Sequence, residues 1–318
     1  MGSRIYRKNK RRKRIMWSFI GIISVFLISF VTYSANQYQY GLSQSLQGKP
    51  PGTNVEKEEI EFNADEPLND EIINILFVGT DERNGEKSRT DTIMIGQYDP
   101  TNSTAKIASI MRDCFVEIPG YQSNKINTSF FLGGPELLRQ TIKDNFDIDI
   151  HYYAMVNFEG FVNVVDTIAP DGITVNIDHP MKYRDEINFQ SGIQTLHGED
   201  SLKYVRFRND HLNDFGRVQR QQEVLTILKD KLLSVKGMTR IPQLVGAIEP
   251  HVDTNLPSSK MVSLTLDFVF HPVNEIDTLT IPVEDGFVDK RYPRVGQVLE
   301  LDLEKNKEAL HHFFSIKS

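Results

Sequence analysis

The chain has 318 residues, 39% of them hydrophobic, which is enough to form the core of one large domain or of two ordinary ones. The formal net charge is −7, but residues 1–14 contain eight Lys or Arg and no acid, so the rest of the chain carries −15. The sequence has one cysteine, Cys114, which excludes an intramolecular disulfide and a cysteine metal cluster.

The basic segment 1–14 is followed directly by nineteen uncharged residues, Ile15–Tyr33. A helix of about 20 apolar residues spans a bilayer, and basic residues on its N-terminal side place the N-terminus in the cytoplasm. One alternative is a cleaved signal peptide with its cleavage site at Tyr33–Ala35, and another is a basic arm that binds nucleic acid. We favour an uncleaved signal anchor over residues 15–33. The protein would then be a single-pass protein of the cell membrane, with an extracellular C-terminal domain and no nucleic-acid partner.

Residues 34–70 are polar and rich in proline, glycine and acids, so we interpret them as an extracellular linker. The folded domain is expected over residues 71–318. Its patterns predict, in chain order, the strands INILFVG, TDTIMIGQYDP and AKIASIM, the helices GGPELLRQTIKDNF and NFEGFVNVVDTI, the strands GITVNI and SLKYVRFR, and the helix GRVQRQQEVLTILKDKLLS. This mixture indicates an α/β or α+β fold.

Two aspartates lie around the connection between the first two predicted strands. Asp81 follows Gly79 at the end of a buried apolar strand, where α/β sheets usually place their sites, and Asp91 begins the next strand. If the strands are neighbours, both carboxylates lie at one end of the sheet. One or two carboxylates together with substrate phosphates commonly hold Mg²⁺. The alternative is that Asp81 begins a turn and Asp91 pairs with Arg89 at the surface.

Arginines occur in the later segments. Strand alternation in LKYVRFR places Arg206 and Arg208 on one face, where two guanidinium groups suit phosphate oxygens. The alternative is the solvent-facing end of an edge strand. On the following helix, Gln221 falls within the buried face and Arg217 near its edge, both in the first turns, where free backbone N–H groups attract anions. Alternatively, Gln221 caps a neighbouring loop.

Two more arginines complete this set. Arg112 comes just after the third predicted strand, and Arg220 lies off the buried helix face, where a purely solvent-exposed role is the alternative. Acids and arginines that gather at the ends of strands and helices indicate a polyanionic ligand. The simplest such ligand is a pyrophosphate with a divalent ion.

Four blocks of the sequence resemble the LytR-CpsA-Psr family: ILFVGTDER…SRTDTIMI, MRDCFVEIPG…KINTSFFLGGPELL, YYAMVNFEGFVNVVD and LKYVRFRND…DFGRVQRQQEVL. They occur in the family's order over residues 74–233, after one N-terminal span. The resemblance implies an α/β fold, an α-β-α sandwich with a mixed central sheet and a long apolar pocket for a lipid chain. It also implies a membrane-anchored phosphotransferase that moves an anionic glycopolymer, such as teichoic acid, from undecaprenyl pyrophosphate to peptidoglycan.

The resemblance further implies residue roles. Asp81 and Asp91 would bind Mg²⁺ or Mn²⁺, and the pyrophosphate would be contacted by Arg83, Arg89, Arg112, Arg206, Arg208, Arg217 and Gln221. We add Arg220 to these contacts. The catalytic group is expected to comprise Arg89, Arg112, Arg206, Arg208, Asp91 and Asp214, with Asp91 or Asp214 as the base for the sugar hydroxyl.

Two other functions stay open at this point. A hydrolase of polyprenyl pyrophosphates would use water in place of the sugar acceptor. A non-catalytic surface receptor, or attenuator of wall and envelope functions, would bind the lipid-linked polymer without turnover. Direct DNA binding is disfavoured because the sequence shows no helix-turn-helix and has an expected membrane span.

Overall fold

The computed structural model describes residues 29, 32–45, 60–65, 67, 72–81, 90–184, 186–210, 212–234 and 240–316. The strands in this part of the chain are β1 (Ile73–Thr80), β2 (Thr90–Asp99), β3 (Thr104–Ile110), β4 (Cys114–Val116), β5 (Asn124–Lys125), β6 (Tyr152–Asn157), β7 (Ile173–Ile177), β8 (Met181–Tyr183), β9 (Ile187–Phe189), β10 (Gly192–Leu196), β11 (Val252–Thr254), β12 (Ile276–Ile281), β13 (Phe287–Tyr292) and β14 (Gly296–Leu301). The helices are α1 (residues 32–45), α2 (Ile126–Phe146), α3 (Phe158–Ile168), α4 (Gly198–Arg206), α5 (Asn213–Leu233), α6 (Ile241–Ile248), α7 (Ser258–Phe270) and α8 (Leu303–Phe314).

A six-stranded mixed sheet organises these elements, in the order β11-β6-β1-β2-β3-β12. β1 pairs antiparallel with β2 and parallel with β6, and β12 pairs parallel with β3. A second sheet, β13-β14-β4-β5, and the pairs β7–β10 and β8–β9 lie outside it. The fold is therefore the mixed α/β arrangement that the sequence indicates, with helices against the central sheet.

Most of the elements predicted from the sequence are confirmed. The first three predicted strands are β1, β2 and β3, and the predicted strand GITVNI contains β7. The predicted helix GGPELLRQTIKDNF is the second half of α2 and begins at Pro135, since Gly133 and Gly134 leave helical geometry just before it. The predicted strand SLKYVRFR is wrong, because its residues form most of α4 and the extended residues after it.

The first face of the central sheet is closed by α2 and α8. Its side chains are fully or almost fully buried: Leu76, Val78, Ile93, Ile95, Ala108 and Ile110. They pack with Leu138, Ile142 and Phe146 of α2 and with Leu310 and Phe314 of α8 in one hydrophobic core. Because adjacent residues of a strand point to opposite faces, the intervening residues of β1 and β2 form a second face.

The second face is covered less completely. Gln221 and Gln222 of α5 donate to Thr92 Oγ1 and Ser109 Oγ on this face, at 3.0 and 3.1 Å. Phe77 also points to this side, yet it is 38% exposed although β1 lies between β6 and β2 inside the sheet. Its ring lies across the neighbouring strand, where a Cβ at Gly96 would come within 2.6 Å of it. The prediction from the sequence that this strand is buried is therefore wrong at Phe77.

Two parts of the predicted linker over residues 34–70 are packed against the domain in the structure. Residues 36–45 belong to α1, which crosses α6 at backbone contact distance: a Cβ at Gly41 would lie 2.0 Å from the Gln243 carbonyl oxygen, and one at Gly246 2.2 Å from that of Tyr38. Tyr38 also donates to Glu249. Two glycines without side chains permit this close crossing, so α1 is packed on the domain.

The second packed stretch of the predicted linker is 60–65. Ile60 and Phe62 contact the core of the first face, and the Phe62 and Tyr153 rings lie 4.9 Å apart. Ile60 and Phe62 lie in an acid-rich stretch of the sequence, so its composition indicates a linker and does not predict that these side chains are packed.

The predicted membrane anchor at 15–33 lies outside the described residues, except for positions 29, 32 and 33. Within the ranges that the structure describes, no helix combines the length and the apolar character needed to cross a bilayer.

Candidate functional site

The ends of β1 and β2 bring Asp81 and Asp91 to one edge of the central sheet. Gly79 pairs with Thr92 and Thr80 with Thr90, so Asp91 is the extra residue of a bulge in β2. A bulge re-aims the side chain that it carries. The Thr90 hydroxyl donates to the Gly79 carbonyl oxygen at 2.8 Å and holds this irregular pairing together. The expectation that β1 and β2 are neighbours is thus confirmed.

The segment predicted as a strand, SLKYVRFR, is the helix α4 followed by an extended loop that begins at Phe207. Asp166 Oδ1 accepts a hydrogen bond from Gly198 N at 2.8 Å and caps its first turn. The sequence contains a signal for this helix, since Glu199 and Asp200 open it and Arg206 closes it, as the helix dipole favours. The apparent alternation was misleading because residues on the buried side of α4 also recur at i, i+3 and i+4.

Arg206 and Arg208 nevertheless both reach one cavity, by different routes. Arg206 ends α4, and its guanidinium lies 4.0 Å from the centre of the Phe158 ring. Arg208 belongs to the loop and approaches two carboxylates, Asp91 at 3.9 Å and Asp214 at 3.6 Å. These two arginines therefore do not form one fork on one strand face.

A compact cluster of charged side chains lies where β2, β3 and α5 meet. Arg112 forms an ion pair with Asp91 and approaches Asp214 at 3.7 Å. Arg217 Nη1 lies 3.3 Å from Asp214 and 4.0 Å from Asp91. Together with Arg208, these guanidinium groups surround the two carboxylates. We call this set, Asp91, Arg112, Arg208, Asp214 and Arg217, the charge cluster.

The electrostatics of the cluster keep Asp91 ionised. Burial by itself would raise the pKa of Asp91, but the charges of Arg112, Arg217 and Arg208 outweigh it and hold the pKa below its usual range. Burial would likewise lower the pKa of Arg112, but Asp91 raises it above its usual value. In contrast, burial and the neighbouring cations lower the pKa of Arg217, although Asp214 opposes this shift.

Arg217 is the most deeply buried member of the cluster, with 2% of its surface exposed. Within the part of the chain that the structure describes, its Nε and Nη1 atoms make no hydrogen bond, and Asp214 Oδ1 accepts none. A buried polar atom without a hydrogen bond costs about 1–3 kcal/mol. An anion that accepts from these guanidinium nitrogens would remove that cost.

Two side chains around the cluster, those of Gln221 and Arg220, help to fix its geometry. Gln221 donates to Thr92 Oγ1 at 3.0 Å and so contacts a strand rather than a loop. Arg220 points elsewhere, pairing with Asp210 at 2.7 Å and donating to the Phe207 carbonyl oxygen. It therefore holds the loop that carries Arg208 and is not among the side chains that line the cavity. The prediction that Arg220 contacts the pyrophosphate therefore differs from its position in the structure, which is outside the cavity lining.

Two residues that sequence reasoning missed lie behind the cluster. Asp113 accepts from Lys125 at 2.5 Å and from Arg112 Nε at 3.3 Å, so it links both cations. Burial opposes ionisation of Asp113, but Lys125 and Arg112 lower its pKa. Nothing in the sequence places Lys125 beside Arg112, because it arrives through the pairing of β4 with β5.

The cavity next to the cluster has a volume of about 820 Å³, within the range of small-molecule sites. Its lining residues are Gly79, Asp81, Asp91, Thr92, Phe158, Tyr183, Glu186, Ile187, Glu199, Leu202, Lys203, Arg206, Phe207, Arg208, Asn209, Arg217 and Gln221. The predicted residues Asp81, Asp91, Arg206, Arg208, Arg217 and Gln221 thus come together here. Arg112 and Asp214 stand behind them, and Arg83 and Arg89 lie outside the described residues.

The carboxylates of Asp81 and Asp91 could bind a divalent ion if a ligand supplied further oxygen donors. Among the described residues, no group of three or more His, Cys, Asp or Glu side chains is arranged to hold a metal. Asp81 and Asp91 both line the cavity, and Asp91 is ionised and 43% exposed at its side chain. Mg²⁺ prefers oxygen donors and often uses one or two carboxylates plus phosphate oxygens, so this donor set fits an ion that arrives with a phosphorylated ligand.

Comparisons with known proteins agree with the fold. The model of the LytR_cpsA_psr family matches residues 36–312, a range that begins within α1. The chain is 38% identical to the regulatory protein MsrR of Staphylococcus aureus (strain COL) over 245 residues, which cover 77% of this chain and 75% of MsrR. It is 32% identical to the polyisoprenyl-teichoic acid–peptidoglycan teichoic acid transferase TagU of Bacillus licheniformis over 256 residues, or 80% and 82% of the two chains. The crystal structure of TagV from B. subtilis superposes with a TM-score of 0.65 at 28% identity, covering 79% of this chain and all of TagV.

Proposed function

The chain belongs to the LytR-CpsA-Psr family, and on this premise we propose that it transfers an anionic glycopolymer from a polyprenyl pyrophosphate carrier to peptidoglycan. The observation that carries the proposal is the buried Arg217, which lines the cavity together with Arg206 and Arg208 and whose Nε and Nη1 make no hydrogen bond within the described residues. The relative TagU is named as a teichoic acid transferase. We expect a similar polymer here, one whose phosphate oxygens these guanidinium groups can bind.

The second face of the sheet supports a lipid-linked substrate. Gly79 and Thr92 line the cavity, and Phe77 lies two residues from Gly79 on the same face, about 7 Å further along the strand. An exposed phenylalanine beside the cavity offers an apolar surface that is favourable to cover with an apolar ligand. A polyprenyl chain entering between the sheet and α5 would cover Phe77 while its pyrophosphate stayed at the charge cluster.

In the proposed reaction, a peptidoglycan sugar hydroxyl attacks the phosphorus on the polymer side of the pyrophosphate. The new P–O bond joins polymer to sugar, the bond to the bridging oxygen breaks, and polyprenyl phosphate leaves with that oxygen and the negative charge. Arg208 and Arg217 would bind the phosphate oxygens, and Arg112 would keep Asp91 in place. A metal ion, if bound by Asp81, Asp91 and the pyrophosphate, would supply further charge neutralisation. Phosphoryl transfer depends mainly on such positioning and charge stabilisation.

The hydroxyl proton needs an acceptor, and the geometry favours Asp91 over Asp214. Both carboxylates lie near the same three arginines, but Asp91 is among the residues that line the cavity and is 43% exposed at its side chain, whereas Asp214 lies behind the lining. The lowered pKa of Asp91 makes it a weak base. A weak base is sufficient when the transition state is loose, because the attacking oxygen then loses its proton late.

The proposed anchor at 15–33 would hold the domain on the outer surface of the membrane, where a lipid-linked donor is available. Its basic flank, residues 1–14, would stay in the cytoplasm. Because α1 begins near the end of this segment and is packed on α6, the domain would be held close to the bilayer rather than on a long tether.

The test is a transfer assay with a labelled lipid-linked glycopolymer and peptidoglycan, run on the full chain and on the double variant Arg206→Ala, Arg208→Ala. We expect at least a 100-fold loss of transfer, since an arginine that stabilises phosphate is worth several kcal/mol. Arg291→Ala, an exposed arginine on β13, is the matched control and should keep full activity. Undiminished transfer by the double variant would contradict the proposal. Release of free polymer without attachment would indicate hydrolysis, and binding without any product would indicate a receptor.

A further inference from the structure

One wall of the cavity is α4, whose charge changes along its length. Its lining side chains are Glu199, Leu202, Lys203 and Arg206. With a rise of 1.5 Å per residue, Glu199 lies about 10 Å along the helix from Arg206. The arginine end of this wall adjoins Arg208 and Arg217, where the phosphates would bind. The other end presents a carboxylate to the same cavity.

More polar side chains line this part of the cavity. Tyr183 on β8 is 41% exposed, Glu186 follows it in the β8–β9 turn, and Asn209 lies directly after Arg208. The side-chain amide of Asn209 donates to the Lys182 carbonyl oxygen at 3.5 Å, so the loop from Arg208 continues onto β8. We name the four residues Tyr183, Glu186, Glu199 and Asn209 the acidic rim.

Within the part of the chain that the structure describes, the two rim carboxylates form no ion pair. Glu186 and Glu199 are exposed, and neither makes a hydrogen bond or ion pair within the described part of the chain. The lysine in the same wall, Lys203, pairs with Asp200 at 2.8 Å and interacts with Glu199 only through longer-range electrostatics. Beside an arginine cluster that suits anions, these two carboxylates repel a phosphate-bearing polymer. They remain strong hydrogen-bond acceptors for hydroxyl groups.

We propose that the acidic rim binds the uncharged sugar rings of the acceptor strand and directs one hydroxyl toward the phosphorus held by the charge cluster. Carboxylates accept from sugar hydroxyls, Asn209 can donate and accept, and the Tyr183 ring offers an apolar surface with a polar tip. The acidic rim would therefore favour an uncharged acceptor, whereas the charge cluster would favour an anionic donor. This inference rests on the proposed function, because a sugar acceptor is needed only for transfer.

The kinetic test compares the full chain with the double variant Glu186→Gln, Glu199→Gln. Glutamine keeps the size and part of the hydrogen bonding of glutamate but removes the charge that strengthens each bond. We expect KM for the acceptor glycan to rise about tenfold, while KM for the lipid-linked donor stays the same. Glu304→Gln is the matched control, since Glu304 holds the same position in the first turn of α8 as Glu199 in α4. This control should leave both KM values unchanged.

A binding measurement makes the result independent of turnover. The probe is a soluble, uncharged tetrasaccharide of β-1,4-linked N-acetylhexosamines, and its Kd is measured by NMR titration. We expect the double variant to bind it about tenfold more weakly than the unaltered chain and the Glu304→Gln control.

Each outcome decides the inference. A rise in donor KM alone would assign the rim to the donor's sugar and overturn the inference. Equal acceptor KM and equal tetrasaccharide binding in all three proteins would also overturn it, even if Arg206→Ala, Arg208→Ala still abolished transfer. If no protein transfers polymer, the proposed function fails. Weaker tetrasaccharide binding by the double variant would then still support a saccharide site at the rim.

Discussion

The two faces of the central sheet both carry apolar side chains, but only the first face is fully covered by packed helices. On the first face, Leu76 and Ile95 have no exposed surface and pack into one core with α2 and α8. On the second face, Phe77 is 38% exposed, and polar contacts from α5 replace close apolar packing. The first face provides stability, and the second leaves space beside the charge cluster.

This difference explains where the molecule accepts an energetic cost. Within the described residues, Arg217 Nε and Nη1 are buried without a hydrogen bond, and the partly exposed ring of Phe77 stabilises the fold less than a buried ring would; both side chains lie on or beside the second face. A protein tolerates such features where a ligand compensates them. The comparison therefore predicts that substitutions on the first face change stability and that substitutions on the second face change activity.

The largest effect is expected from Phe146→Ala on the first face. Phe146 has no exposed surface and packs between α2 and the sheet, so its removal should lower the free energy of unfolding by about 3–5 kcal/mol. Urea denaturation followed by far-UV circular dichroism measures this change. Transfer activity per folded molecule should stay within about twofold of the unaltered chain. A large loss of activity in the folded fraction would show that the first face also serves the site.

The next effect is expected from Arg217→Met at the edge of the second face. Methionine fills the same buried space but cannot bind phosphate, so kcat/KM should fall by about 100-fold or more, equivalent to about 3 kcal/mol in the transition state. The free energy of unfolding should also fall, by about 1–3 kcal/mol, because the substitution removes the ion pairs of Arg217 with Asp214 and Asp91, so kcat/KM is measured per folded molecule. Arg217→Lys should recover only part of the activity, since lysine keeps the charge without the planar fork. Equal activity of Arg217→Met and the unaltered chain would remove Arg217 from the site.

A smaller effect is expected from Phe77→Ala, the second-face counterpart of Phe146→Ala. Because the ring is already partly exposed, its loss should reduce the free energy of unfolding by only about 1 kcal/mol. KM for a donor with a full-length polyprenyl chain should rise several-fold, while KM for a donor with a short soluble chain should not. The same rise for both donors would show that Phe77 does not contact the lipid.

The sequence predicts the first face better than the second. The runs INILFVG and TDTIMIG identify β1 and β2, and their short connection places Asp81 and Asp91 at one edge, as the structure shows. Apolar residues, however, look the same in a sequence whether they line a packed core or an open cavity, so the exposure of Phe77 is invisible there. The helix α4 was missed because two positions of alternation, Val205 and Phe207, outweighed the charge pattern of its ends.

The neighbours of the cluster that come from distant segments could not be predicted at all. Lys125 reaches Asp113 through the β4–β5 pairing, and Tyr183 reaches the cavity through the separate β8–β9 pair. A single sequence carries no signal for such long-range pairings. The close crossing of α1 and α6 was missed for a related reason, since Gly41 and Gly246 are ordinary glycines until the two helices meet.

The smallest effect concerns pH and separates stability from the site. His151 accepts from Asn74 N at 3.0 Å at the start of β1, and burial lowers its pKa below the usual value of about 6.5. The unfolded chain therefore binds more protons than the folded chain just below that value. Stability should be fully present above about pH 6.5 and should fall as the pH drops toward the folded pKa, by at most about 1.4 kcal/mol per pH unit. His151→Asn, whose amide oxygen can still accept from Asn74, should have a smaller loss of Tm between pH 7 and pH 5.

The charge cluster should not respond to the same change of pH. Its carboxylate Asp91 has a pKa below the usual range of aspartates, so it contributes its charge until the pH falls well below 5. Pyrophosphate itself gains protons in this interval, so the probe is a disulfonate analogue, which keeps its charge. We therefore expect the Arg208-dependent binding of this probe to be equal at pH 7 and pH 5 for the folded protein, in both the unaltered chain and His151→Asn. Loss of sulfonate binding at pH 5 would place a titrating group in the cluster and contradict the separation of the two regions.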